Sequence, residues 1–236
     1  MQTLILAGGL GTRLQKVVSD YPKPMALISS RPFLEYLILQ LKRYNLTEVV
    51  LCTGYLGEKI KEYFKDGDRW GVKIDYSEEK KPLGTGGAIK LASSFIKNDN
   101  FLVLNGDSYL NINFKELIKF HKLKGALATL ALVEVNKPDR YGAVEIDKDY
   151  RITSFKEKEG VCKSNLINGG IYIFHKKIFN FIPEGKVSLE KDIFPELIGK
   201  GFYGKPHRAY FIDIGVPEDY TKIQKEFWKL KNAYPF

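Results

Sequence analysis

The 236-residue sequence predicts an α/β protein, with helices on both faces of a mixed, mostly parallel sheet. Three observations predict it. Apolar, β-rich runs alternate with amphipathic helical runs through the first half, the pattern of βα units feeding a parallel sheet. A glycine-rich turn stands directly after the first apolar run. After Val135 the alternation gives way to two short runs around a polar turn, so an antiparallel hairpin is expected to join the sheet.

Taken in order, Thr3 to Leu6 reads as the first strand. A helix from about Pro32 to Tyr44 follows, with Pro32 near its favourable start and Phe33, Leu34, Leu37, Leu41 and Tyr44 forming one apolar face. Next come a strand over 48–53, a helix over 58–64 and a strand over 72–76. A helix over 87–96 leads to a strand over 101–104, and a helix over 114–123 leads to a strand over 126–135. Tyr141 to Ile146 and Arg151 to Phe155 flank the turn Asp147-Lys148-Asp149 as a hairpin. The remainder reads as a strand over 171–174, a helix over 189–198, a strand over 210–214 and a terminal helix over 217–231. The length suits one large domain, residues 1–236.

Composition narrows the function classes. A hydrophobic fraction of 44% and a charged fraction of 28% are ordinary for a globular chain, so disorder and fibrous classes drop out. The run Leu4 to Ala7 is too short for a signal-peptide core, and no stretch reaches the length of a membrane span. Cys52 and Cys162 show no metal-ligand spacing, which fits buried thiols in a reducing cytoplasm. The net charge of +9 admits a polyanionic partner or small phosphorylated substrates. Many lysines alternate with apolar residues at helical spacing, as on a solvated helix face, and no nucleic-acid motif is present. Small phosphates are therefore the expected ligands, with neither nucleic acid nor membrane as partner.

The sharpest chemical signal is Leu6-Ala7-Gly8-Gly9-Leu10-Gly11-Thr12-Arg13-Leu14, directly after the first strand. Glycines there let the backbone approach a phosphate chain and aim N–H groups at it, and Arg13 adds a fixed cation. The segment is not a Walker loop, which ends in Gly-Lys-Ser/Thr. Nor is it a dinucleotide fingerprint, because Leu14 stands where a third glycine or alanine belongs and the second strand ends without an acid. Lys23 lies between Pro22 and Pro24, a cation on a stiffened segment suited to a preformed anion site.

The loop from Gly8 to Leu14 and the following Pro22-Lys23-Pro24-Met25, in their sequence and spacing, resemble the signature of the sugar-1-phosphate nucleotidyltransferases. The resemblance implies a three-layer αβα sandwich with a Rossmann-like mixed sheet of the nucleotide-diphospho-sugar transferase type. It also implies a reaction in which a nucleoside triphosphate and a sugar 1-phosphate give a nucleotide sugar and pyrophosphate, with Mg2+ as cofactor. On this pattern Leu6, Ala7, Gly8, Gly9, Gly11, Thr12, Arg13 and Lys23 hold the triphosphate, and Pro82, Gly84, Thr85, Gly86 and Gly87 form the base-recognition loop. Asp107 and Asp213 stand at the positions of the metal-binding aspartates, a carboxylate count that suits magnesium. Asn105, Gly106, Tyr141, Gly142, Glu157, Lys158, Asn168 and Gly169 map onto the sugar-phosphate side, and Arg13, Lys23, Asp107 and Lys158 onto the catalytic charges. Glu157 and Lys158 also belong to Lys156-Glu157-Lys158-Glu159, which without the resemblance reads as a solvated charge run. The histidines are expected to be surface or packing groups.

The segments 83–88, 168–172, 188–192 and 211–220 together look most like bacterial heptose-1-phosphate guanylyltransferases, which implies GTP and a D-manno-configured heptose 1-phosphate. Mannose- or glucose-1-phosphate nucleotidyltransfer with GTP, UTP, dTTP or CTP is the alternative. A glycosyltransferase would share the fold and a metal aspartate but not the amino-terminal loop, and a non-catalytic sensor would be expected to have lost a metal aspartate or Lys23. Homo-oligomerisation stays open.

Overall fold

A computed structural model describes residues 1–9, 11, 21–135, 142–156 and 164–233, the last three as backbone only. The chain runs through β1 (Thr3–Leu6), a 3-10 turn at Lys23–Met25, a small ribbon of β2 (Leu27–Ile28) and β3 (Arg31–Pro32), and α1 (Phe33–Arg43). β4 (Glu48–Thr53), α2 (Gly57–Phe64), β5 (Lys73–Glu78), α3 (Gly84–Leu91), β6 (Asn100–Asn105), β7 (Ser108–Leu110) and α4 (Phe114–Leu123) follow. The second half supplies β8 (Ala128–Glu134), β9 (Ala143–Ile146), β10 (Ile152–Lys156), β11 (Leu166–His175), α5 (Phe194–Leu197), β12 (Phe202–His207), β13 (Phe211–Asp213) and α6 (Pro217–Lys225). A last 3-10 segment covers Phe227–Ala233.

Among the described residues, nine strands form one mixed sheet. β5, β4, β1 and β6 lie side by side in parallel; β11 pairs antiparallel with β6, β8 and β9, β10 closes one edge on β9, and β12 runs parallel to β8. After β1 the chain builds outward to β4 and β5, then returns to lay β6 on the other side of β1. The carboxyl ends of β1 and β6 thus flank the point where strand order reverses, the crevice in which open α/β sheets bind ligands.

Alternation along the strands feeds two cores. Ile5, Val49, Leu51, Leu102 and Leu104 pack with the apolar faces of α1, α2 and α4 and with Ile223 and Leu230 near the carboxyl terminus. Leu4, Val50, Cys52, Phe101 and Val103 face the opposite way, onto Ile89, Ile178 and Phe194. Helices on both faces make the predicted three layers. α1 illustrates the local logic, since Phe33, Leu34, Leu37, Ile38 and Leu41 are all buried, Glu35 lies in its first turn, and Lys42 and Arg43 lie in its last.

The differences from the sequence reading have physical causes. α3 begins at Gly84 rather than Gly87, because the Gly86 and Gly87 amides donate to the Val187 carbonyl (2.9 and 3.3 Å), offsetting the poor helix propensity of glycine. The helix expected over 189–198 is a π turn at Leu189–Ile193 followed by α5, because Pro195 has no N–H and its ring crowds the carbonyl four residues back. β7 and β12 escape short-range patterning. The expected strand over 210–214 forms, as β13, but pairs antiparallel with β7 outside the main sheet.

Candidate functional site

A cleft of about 470 Å³ opens at the reversal point, lined by Leu6, Ala7, Gly8, Gly9 and Gly11 after β1, by Asn105 and Asp107 after β6, and by Lys23, Glu79, Pro82, Gly84 and Thr85, among others. The loop after β1 is anchored by the Ala7 amide, which donates to the Cys52 carbonyl at 2.8 Å. A Cβ at Gly8 would meet Glu79 Oε1 at 2.8 Å, whereas one at Gly9 would meet nothing within 4 Å. Gly11 has φ +61°. The backbone is thus bare where a ligand is to approach it. Thr12 and Arg13 lie outside the described residues.

Next to Gly11, Lys23 is carried on a turn made rigid by its neighbours. Pro22 holds φ −62°, Pro24 and Met25 are buried, and the Met25 amide donates to the Pro22 carbonyl at 2.7 Å. Its ammonium donates to Asp107 Oδ2 at 2.5 Å and stands 3.7 Å from Asp213 Oδ1. The ribbon of β7 and β13 brings the two aspartates together: Asp213 pairs with Ser108, and the Ile214 amide donates to the Asp107 carbonyl at 2.9 Å. Burial pushes the Asp107 carboxyl upward. The Lys23 ammonium and the Ser108 hydroxyl outweigh this and hold it below the usual carboxylate range.

Whether this corner fits a metal is answered by its donors. Two carboxylates from strand ends converge with a cation already between them, and Asp213 Oδ1 is steadied by the Gly215 amide at 2.6 Å. Hard oxygen donors in this number suit a small divalent ion that takes its other ligands from phosphate and water. Among the described residues no group of three or more His, Cys, Asp or Glu side chains comes together to hold a metal ion.

Another wall of the cleft is a clamp between two segments. The Val187 amide donates to the Leu83 carbonyl at 2.8 Å, Thr85 Oγ1 donates to Glu190 Oε2 at 2.8 Å, and the Leu189 amide donates to Thr85 Oγ1 at 2.8 Å. Gly84 has φ +73°, and a Cβ there would sit 2.5 Å from the Val187 carbonyl oxygen. Glycine is required on both counts. Gly86 and Gly87 are buried in the clamp and do not line the cleft. Glu79 Oε2 accepts from the Leu83 amide at 2.9 Å; burial raises its carboxyl pKa and that amide lowers it.

On the remaining side Asn105 reaches the cleft directly. The Gly106 amide donates to the Leu6 carbonyl at 2.9 Å, and a Cβ at Gly106 would stand 2.6 Å from that oxygen. Asn168 and Gly169 lie behind the wall, on a bulge in β11 where Gly170 has φ +73°. Tyr172 links the layers, its buried hydroxyl accepting from Asn105 Nδ2 (3.2 Å) and Asn168 Nδ2 (2.9 Å). Gly142 accepts from the Asn168 amide at 3.1 Å, while Tyr141, Glu157 and Lys158 lie outside the described residues.

Sequence reasoning missed Glu79, Lys186, Glu190 and the linking role of Tyr172. Glu79 carried a weak signal, an acid just past a predicted strand and shortly before the Pro82 loop. Lys186 carried none, because its place on the cleft depends on a pairing a hundred residues away. The histidines are packing groups in part: His121 is buried between Thr129 Oγ1 (2.8 Å) and Asn100 Oδ1 (2.9 Å), and burial pushes it down to about 4.

Comparison with known proteins adds independent weight. The profile of the Nucleotidyl transferase family matches residues 2–229. A D-glycero-alpha-D-manno-heptose 1-phosphate guanylyltransferase of Campylobacter jejuni is 48% identical over 93% of this chain and 97% of its own length. Its counterpart from Aneurinibacillus thermoaerophilus is 45% identical over 96% and 98%. The crystal structure of HddC from Yersinia pseudotuberculosis superposes with a TM-score of 0.86 at 40% identity, covering 96% of this chain and 99% of that one, and HddC has also been solved in complex with GMP-PN.

Proposed function

Because this chain belongs to the Nucleotidyl transferase family, we propose that it transfers GMP from GTP to D-glycero-α-D-manno-heptose 1-phosphate and releases pyrophosphate. A phosphate oxygen of the sugar 1-phosphate attacks the α-phosphorus of GTP in line, and the bond to the β-phosphate oxygen breaks. No side chain has to act as nucleophile, since positioning and charge neutralisation carry most phosphoryl-type transfers.

In this reading Leu6, Ala7, Gly8, Gly9, Gly11 and Thr12 wrap the triphosphate, with Arg13 and Lys23 neutralising it. Pro82, Gly84 and Thr85 form the base platform, and Gly86 and Gly87 fix it from behind. Asn105, Gly106, Tyr141, Gly142, Glu157, Lys158, Asn168 and Gly169 serve the sugar phosphate, with Lys158 as the point charge on its phosphate. Enzymes of this family generally use a divalent metal. Asp107 and Asp213 would hold it as Mg2+, whose chemistry is to offset the charge of two crowded anions and stabilise the charge that develops on transfer.

The observation that carries guanine over the other bases is Glu79. A carboxylate on the cleft wall beside the Gly84 turn is acceptor-only when ionised, and guanine offers it two adjacent donors, N1–H and the 2-amino group. Uracil and thymine offer one donor on that edge, and adenine's N1 is an acceptor. The mannose-1-phosphate reading stays second, supported by a mannose-1-phosphate guanylyltransferase of Mycobacterium tuberculosis, 35% identical over 94% of this chain and 63% of its own length. A glycosyltransferase does not explain the bare glycine loop, and a nucleotide-sugar sensor does not explain why Lys23, Asp107 and Asp213 are all retained.

The activity is proposed to reside in one domain, residues 1–236, acting in the cytoplasm where nucleoside triphosphates are made and supplying an activated heptose for surface polysaccharide. Among the described residues no helix is long and apolar enough to cross a membrane. The test is pyrophosphate release over ATP, CTP, GTP, UTP and dTTP, each with heptose, mannose and glucose 1-phosphates. GTP with the heptose should be at least roughly a hundredfold better than any other base, because buried partners left unpaired by the wrong base are costly. A preference for UTP or dTTP would end the guanylyltransferase reading.

A further inference from the structure

The Lys23 ammonium stands between the two carboxylates that would hold a divalent ion, and its surroundings keep it there. The ammonium bridges Asp107 and Asp213 at 2.5 and 3.7 Å, and only 10% of the side chain is exposed. It runs between two glycines: a Cβ at Gly11 would stand 3.0 Å from Lys23 Cβ, and one at Gly215 would stand 2.9 Å from Lys23 Nζ. The backbone that carries it is fixed by Pro22 and Pro24, so movement of the charge falls to the four-carbon stem.

Among the described residues, this corner sets two carboxylates against one ammonium. A divalent ion entering beside the lysine would meet a like charge at hydrogen-bond range, so ion and ammonium compete for the same oxygens. Leu6, Ala7, Gly8, Gly9 and Gly11 line the same cleft, and an anion held there would offer the ammonium an alternative partner. We propose that Lys23 is an internal counter-cation that keeps the nucleotide-free protein poor in metal and leaves the aspartates for a bound triphosphate, so that metal and nucleotide enter together. The nucleotide half of this statement rests on the function proposed above. The exclusion half does not.

The test is Mn2+ titration followed by electron paramagnetic resonance, first on the protein without nucleotide. Lys23→Met and Lys23→Gln, checked for folding by circular dichroism, should bind Mn2+ roughly tenfold or more tightly than wild type, the usual scale of coupling between competing ligands. Introducing Asp107→Asn into Lys23→Gln should abolish the gain. A lysine that served only as a phosphate ligand would leave metal affinity of the free protein unchanged. Neutral variants that bind Mn2+ no tighter than wild type, or a gain that survives Asp107→Asn, would overturn the proposal. A second titration, with a non-hydrolysable GTP analogue present, should reverse the order, wild type binding Mn2+ more tightly than either variant; failure to reverse would overturn the displacement by triphosphate. Repeating that arm with analogues of the other four nucleotides separates the two readings. A response to a different base would sink the choice of GTP and leave the exchange of lysine for metal intact.

Discussion

Replacing Asp107 with asparagine tests the charge arithmetic of the cleft most directly. The side chains are nearly isosteric, so the change removes one negative charge from a group 2.5 Å from Lys23 Nζ and leaves Asp213, 3.7 Å away, as the remaining carboxylate. A charge-assisted hydrogen bond contributes about 1.5–3 kcal/mol when well buried. The Asp107 side chain is 34% exposed and the ammonium keeps a second partner, so solvent screening reduces the expected loss to on the order of 1 kcal/mol, or a few degrees in Tm. The effect on turnover should be far larger. One preorganised electrostatic contact in an active site is worth about 10²–10³ in kcat, and a lost metal carboxylate belongs at the upper end, near 4 kcal/mol of barrier. Initial rates of pyrophosphate release with GTP, heptose 1-phosphate and excess Mg2+ should therefore fall by about 10³, while thermal melting shows a folded protein. Asp213→Asn should behave alike, and the double variant should be little worse than either single one, because both act on one ion. Turnover of Asp107→Asn within about tenfold of wild type would refute the assignment of this corner to metal.

Three further outcomes follow from the same geometry. Glu79→Gln replaces an acceptor pair with one acceptor and one donor, and should lower kcat/KM for GTP by at least about tenfold while changing that for ATP much less; equal losses for both would remove Glu79 from base recognition. Gly87→Ala gains about 1 kcal/mol of helix propensity, but its Cβ would lie 2.3 Å from the Gly185 carbonyl oxygen and 2.9 Å from Leu83 Cβ, an overpacking cost of about 1–3 kcal/mol. The clash should win, seen as a lower Tm together with a higher nucleotide KM. His121 is neutral in the fold, its pKa pushed down to about 4 by burial from an ordinary 6.5. The unfolded chain therefore binds a proton over that interval that the folded chain refuses, and stability should fall as pH drops from 6.5 towards 4, by on the order of 3 kcal/mol for this group. Urea melts of His121→Gln across that range should show a shallower pH slope than wild type.

Much of the fold was legible because it depends on short-range pattern. The apolar faces of α1 and α4, the parallel strands β1, β4, β5 and β6, and the β9–β10 hairpin all announce themselves through periodicity and turn residues within a dozen positions. The bare loop after β1 was legible for the same reason, since three glycines within four residues after a strand have few other uses.

Tertiary structure decided what periodicity does not encode. β13 pairs with β7 rather than with the main sheet, and that register sets Asp213 beside Asp107 although 105 residues separate them. Glu79 and Lys186 became cleft residues only when the Leu83–Thr85 turn paired with Val187, and Tyr172 met Asn105 and Asn168 only through the bulge at Gly170. The sequence by itself determined which backbone segments are stiff, bare or amphipathic, because those properties are local. Which charges face one another was left to long-range strand pairing, because a side chain's electrostatic partner is set by where the sheet puts it and not by its neighbours in the chain.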